Sequence, residues 1–226
     1  MIATIVNTAA VVAGGLIGLL AKKGLPERIS KGIMAAIGLM LICSGVKGYF
    51  DGQSSIIAVL SLALGTGLGE LLRLEERLNH LGERIGARVS RSGSSRVGEG
   101  LVTATLLFCV GAMAVLGSLQ SGLAGDHTTL YTKSLMDFIS AILLASTYGI
   151  GVVLSAIGVL LYQGAITLLS GLLAPVMTEA AIAELSAVGS IVLVGLGLNL
   201  TGIAKLRVMN MVPSIFIAIL LAQIMH

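Results

Sequence analysis

Lys133 and Asp137 stand four residues apart in the stretch Lys133-Ser134-Leu135-Met136-Asp137-Phe138-Ile139. On a helix that spacing puts both side chains on one face. In a hydrocarbon setting a charged side chain costs about 2.5–3.5 kcal/mol or more. Two opposite charges kept there read as a coupling-ion or proton site, or as an ion pair snorkelling to the interface. Asp137 is the strongest single candidate. Glu70 closes the run Gly65-Thr66-Gly67-Leu68-Gly69, whose alternating glycines expose backbone and permit close packing. The run lacks the Lys-Ser/Thr ending of a phosphate loop, and Glu70 beside Arg73 also fits an interface carboxylate. Asn7, Asn199, Asn210 and, more weakly, Gln163 are amides in apolar sequence. Each must tie helices together or face a polar cavity.

The candidate substrate or ion pathway is therefore Asn7, Glu70, Lys133, Asp137, Asn199 and Asn210. No catalytic residue is expected. His80, His127 and His226 fall in separate segments without metal-ligand spacing, and no serine or cysteine has a nearby base. The chain does not read as an enzyme, and no cofactor or metal is implied.

The elements that must position these groups are long apolar helices. Hydrophobic residues make up 56% of the 226 and charged residues 11%, against about a quarter charged in a soluble domain; mean hydropathy is +1.02. A water-facing surface cannot be built from so few charges. The fold class is all-α, a polytopic transmembrane helical bundle of about eight spans. These are 2–21, 33–50, 55–72, 100–120, 130–148, 150–173, 185–201 and 208–225, each close to the ~20 residues that cross a bilayer. The division within 130–173 rests on one turn, Tyr148-Gly149-Ile150-Gly151, so seven spans is the alternative. Cys43 and Cys109 both fall in spans, which argues against a disulfide. The first apolar run has no basic region before it, unlike a signal peptide. A net charge of +3 comes without a basic fold or aromatic stacking set, so no nucleic-acid partner is expected; the expected partner is the lipid bilayer.

With both termini extracytoplasmic, 12 of the 14 Lys and Arg residues fall in inner segments and only Lys47 and Lys133 outside, in keeping with the positive-inside rule. One inner segment, 73–98, reads as an amphipathic helix followed by a flexible linker. Over 71–89, Leu71, Leu74, Leu78, Leu81, Ile85 and Val89 recur at helical spacing opposite Arg73, Arg77, Arg84 and Arg88, which suits an anionic membrane surface. Gly14 and Gly18 form a small-residue face that could pack within one chain or in a homo-oligomer.

Three spans share a phrase, Ala36-Ile37-Gly38, Cys109-Val110-Gly111 and Ala187-Val188-Gly189, each followed by a second glycine at Gly45, Gly117 and Gly195. On the eight-span arrangement, spans 1–3 and 6–8 would be inverted three-helix units, a common transporter build. Asn7, Leu25-Pro26-Glu27-Arg28, Gly69-Glu70, Lys133-Ser134-Leu135-Met136-Asp137, Ser186-Ala187-Val188-Gly189 and Asn210-Met211-Val212-Pro213 give the chain a further likeness. It resembles the YqgA/YdfK group of prokaryotic multi-pass membrane proteins, domain of unknown function 554. The resemblance covers nearly the whole chain and implies a bacterial inner-membrane location; the transport role often ascribed to that group is itself an inference. The functional expectation is a secondary transporter or permease for an ion or small solute. The rival is a non-transporting helper, sensor or scaffold that uses 71–89 to hold a partner or lipid.

Overall fold

Apolar runs free of proline become helices, and turn chemistry ends them. The structure is a computed structural model that describes residues 1–22, 26–77, 80, 95–110 and 112–225. The helices are α1 (Ile2–Lys22), α2 (Glu27–Tyr49), α3 (Ser55–Leu72), α4 (Ser95–Cys109), α5 (Ala112–Leu123), α6 (Thr128–Tyr148), α7 (Ile150–Leu168), α8 (Ser170–Leu173), α9 (Glu179–Leu200) and α10 (Pro213–Met225). A 3-10 turn, Val208–Met211, precedes α10. Ser54 caps α3 by accepting from the Ile57 N–H at 3.4 Å, and Thr178 caps α9 by accepting from Ala181 N–H at 3.2 Å. Such caps satisfy amides that a helix start leaves without partners. The turn between α6 and α7 falls on Gly149, whose φ of +79° is open to a residue lacking a Cβ.

Six helices are long and apolar enough to cross a membrane, or seven if α4 and α5 form one bent span, among the described residues. The sequence reading of eight differs at two places. The expected span 100–120 is not one straight helix: α4 and α5 meet at a 58° bend, where the sequence reads Val110-Gly111 and glycine is a poor helix former. The expected span 130–148 is a helix of 21 residues, but Lys133 and Asp137 lower its apolarity below that of the others. The expected 150–173 helix ends at Leu168, with a separate short turn at Ser170–Leu173. The expected 185–201 helix starts a turn and a half earlier, at Glu179.

The segment 71–89 is not one continuous helix. Leu71 and Leu72 belong to α3, and Arg73 adopts a left-handed φ of +49°, with its N–H bonded back to Glu70 O. That geometry ends a helix. Residues 74–77 are helical again, while 78, 79 and 81–89 lie outside the described residues. Of the linker expected over 90–98, residues 95–98 belong to α4, while 90–94 lie outside the described residues.

The chain forms two compact units that alternate along the sequence. The first comprises Met1–Met34, Glu76–Cys109 and Met113–Gly171; the second comprises Ala35–Glu75, Val110–Ala112 and Leu172–His226. Neither coincides with spans 1–3 or 6–8, and glycine stripes explain the division. In the first unit a Cβ at Gly14 would strike the Phe138 carbonyl and one at Gly18 the Ile142 carbonyl. The Gly14/Gly18 face is thus used within the chain, seating α1 against α6. In the second unit Gly38 and Gly197 face each other across α2 and α9, while Gly65 and Gly69 of α3 lie against Ser214 and Asn210. Ordered contacts also give relative directions inside each unit. The pairs 14–138 and 18–142 run parallel, whereas 65–214 and 69–210 run antiparallel.

Polarity in the first unit is inverted relative to a soluble protein. In α6 the buried side chains include Lys133, Ser134 and Asp137, while Leu135 is 64% and Ile139 51% exposed. In α1, Thr4 and Asn7 are fully buried and Ile2 and Ile5 are not. Apolar groups outward and polar groups inward suit hydrocarbon as the surrounding solvent.

Candidate functional site: a buried polar centre

Three helices of the first unit bring their few polar side chains to one place. The i,i+4 spacing stacks Lys133 over Asp137 on α6, and Lys133 Nζ donates to both carboxylate oxygens, at 2.8 Å to Oδ1 and 2.7 Å to Oδ2. Both residues are buried. Asn7, a turn and a half into α1, donates through Nδ2 to Asp137 Oδ2 at 3.0 Å and to Gln163 Oε1 of α7 at 3.1 Å. Next to them Thr4 and Thr167 approach through their hydroxyls at 3.3 Å.

Amide orientation follows from charge. The carboxylate accepts only, so Asn7 must turn its NH₂ group toward Asp137 and its oxygen away. The second Asn7 N–H then requires Gln163 to present its own oxygen. This leaves Asn7 Oδ1 and Gln163 Nε2, both fully buried, without a hydrogen-bond partner. The centre thus holds a neutralised ion pair, one open acceptor and one open donor.

The other candidates belong to the second unit. Asn210 Oδ1 accepts from Glu75 N–H at 2.9 Å, and Glu75 Oε2 accepts from Met209 N–H at 3.3 Å. Glu70 is exposed and paired with Arg207 at 3.1 Å, as an interface carboxylate would be. Burial pushes the Glu75 carboxyl above its ordinary value, against the lowering effects of Met209 N–H and Arg207. Asn199 does something different: it accepts from Leu206 N–H and donates to Leu206 O, both at 2.7 Å. It closes the loop after α9. The six expected pathway residues therefore divide, with Asn7, Lys133 and Asp137 in one centre and Glu70, Asn199 and Asn210 at helix ends and loops of the second unit.

Two residues carry more than their sequence signal suggested. Gln163, a lone amide in an apolar helix, completes the centre. Glu184 reads from sequence as a loop residue but is fully buried in α9. Its Oε1 accepts from Gln53 N–H at 2.8 Å and Ser54 N–H at 2.7 Å, fixing the start of α3. The Thr178-Glu179 pair, a cap followed by an acid in the first turn, was the signal that the helix begins early enough to bury it.

Long apolar helices with outward apolar faces and an inward polar centre define a helical multi-pass membrane protein. The chain belongs to the family described as Protein of unknown function (DUF554), whose model matches residues 2–223. It is 34% identical over 230 residues to Uncharacterized membrane protein YdfK of Bacillus subtilis (strain 168), covering 100% of this chain and 97% of that one. It is 30% identical over 222 residues to Uncharacterized protein YqgA of Escherichia coli (strain K12), covering 96% and 94%. No solved structure matches the chain.

Proposed function

We propose that this protein is a permease of the bacterial cell membrane for an ion or small solute, and that Asn7, Lys133, Asp137 and Gln163 form its binding centre. The observation that carries this reading is a buried polar cluster with one acceptor and one donor left open. A centre serving only to tie helices gains nothing from open groups, each of which costs about 1–3 kcal/mol. A centre that binds a passing solute needs them. The reading assigns no covalent chemistry and no cofactor, and its partner beyond the solute is the bilayer.

The test is flux in liposomes reconstituted with the full chain, using protons, potassium, chloride, urea and formamide as probes. At least one probe should cross faster than through protein-free vesicles, and Asp137→Asn, reconstituted from the fraction that elutes as folded protein, should abolish that increment. Wild-type flux in the folded variant would remove Asp137 from the pathway, and no flux for any probe would count against a permease. The proposed orientation has both termini extracytoplasmic. After Cys43 and Cys109 are replaced, Asp126→Cys should react with an impermeant thiol reagent from outside and Lys205→Cys only after permeabilisation. The reverse pattern would invert the assignment.

A further inference from the structure

Resting on the permease reading, we propose that the centre takes a small uncharged solute carrying a hydrogen-bond donor beside an acceptor, of the amide or urea type, and not an ion. Two observations carry this. The first is charge: Lys133 engages both oxygens of Asp137 at 2.7–2.8 Å, so the two charges cancel within the cluster. An ion arriving there would bring a charge with no counter-charge among these groups, in surroundings where an unpaired charge is costly. The second is the identity of the open groups. Asn7 Oδ1 can only accept, and Gln163 Nε2 can only donate; both side chains are fully buried and neither atom has a partner.

These two atoms belong to amides already joined by the Asn7 Nδ2 to Gln163 Oε1 bond at 3.1 Å. Two primary amides joined by a single bond leave an acceptor on one and a donor on the other, the complement of a third amide. A urea-type solute would donate its N–H to Asn7 Oδ1 and accept from Gln163 Nε2 through its carbonyl. The adjacent Thr4 and Thr167 hydroxyls, 3.3 Å apart, extend the polar lining on the α1–α7 side. An anion would find Gln163 Nε2 but face the Asn7 carbonyl oxygen, and a cation would meet the converse mismatch.

The decisive experiment is stopped-flow light scattering of full-chain proteoliposomes challenged with urea or formamide, run beside dye-reported fluxes of protons, potassium and chloride. Protein-dependent permeation of urea or formamide without protein-dependent ion flux is the expected result. Gln163→Met keeps side-chain length and removes the donor, and it should lower amide permeation about tenfold, the effect of one lost hydrogen bond of ~1.4 kcal/mol. Ion flux without amide permeation overturns this proposal and leaves the permease reading standing. Permeation of water alone also overturns it, since the open pair then serves only to bridge water. No flux of any probe overturns both. The wild-type selectivity pattern decides the matter even if the Gln163 variant fails to fold.

Discussion

Removing one partner of the Lys133–Asp137 pair should be far more damaging than removing both. Both residues are only 5–6% exposed, and the carboxylate is held by Lys133 through both oxygens and by Asn7 through one. Lys133→Met would leave a buried carboxylate with the single Asn7 hydrogen bond, and Asp137→Leu a buried ammonium with its carboxylate gone. Breaking a buried pair in this way costs about 3–5 kcal/mol. The double variant removes both charges together. Its expected cost is only the loss of a partner for one Asn7 N–H, about 1–3 kcal/mol, offset by apolar packing against neighbours such as Ala141. The coupling energy of the cycle should therefore reach at least about 3 kcal/mol. Equilibrium unfolding in mixed detergent micelles, followed by circular dichroism, measures it. Single variants as stable as wild type, or a double variant whose cost equals the sum of the two, would refute the buried-pair reasoning.

Other perturbations follow from the packing. Gly18→Val places methyls against the Ile142 carbonyl and Ala145 and should destabilise the α1–α6 contact by about 1–3 kcal/mol, read as a lower detergent melting temperature. Glu184→Ala removes the acceptor for two α3 N–H groups and should cost about 1.5–3 kcal/mol. Glu184→Gln, which keeps an oxygen, should restore most of it in the same melt. At Glu75 the folded-state carboxyl binds its proton more tightly than the unfolded one, whose ordinary value is 4.5. Stability should therefore fall as pH rises from 4.5 through the raised value, and Glu75→Gln should flatten that limb of the melting-temperature profile.

Composition alone determined the class of this protein. So few charges among so many apolar residues leave no solvent but lipid for most of its surface, and the i,i+4 spacing of Lys133 and Asp137 made their pairing legible because helix geometry is local. Asn7 was legible as a residue in need of a partner, but which partner depends on a contact across 130 positions. The tertiary structure decided that, because glycines in α1 admit the α6 backbone and so bring the amide to the carboxylate. Glu70 and Asn210 carried the same sequence signal as Asn7, yet they bond Arg207 and Glu75 at the end of α3 and in the loop before α10. A polar residue in an apolar run announces a requirement for a partner, whereas the role it serves depends on the helix that packs against it.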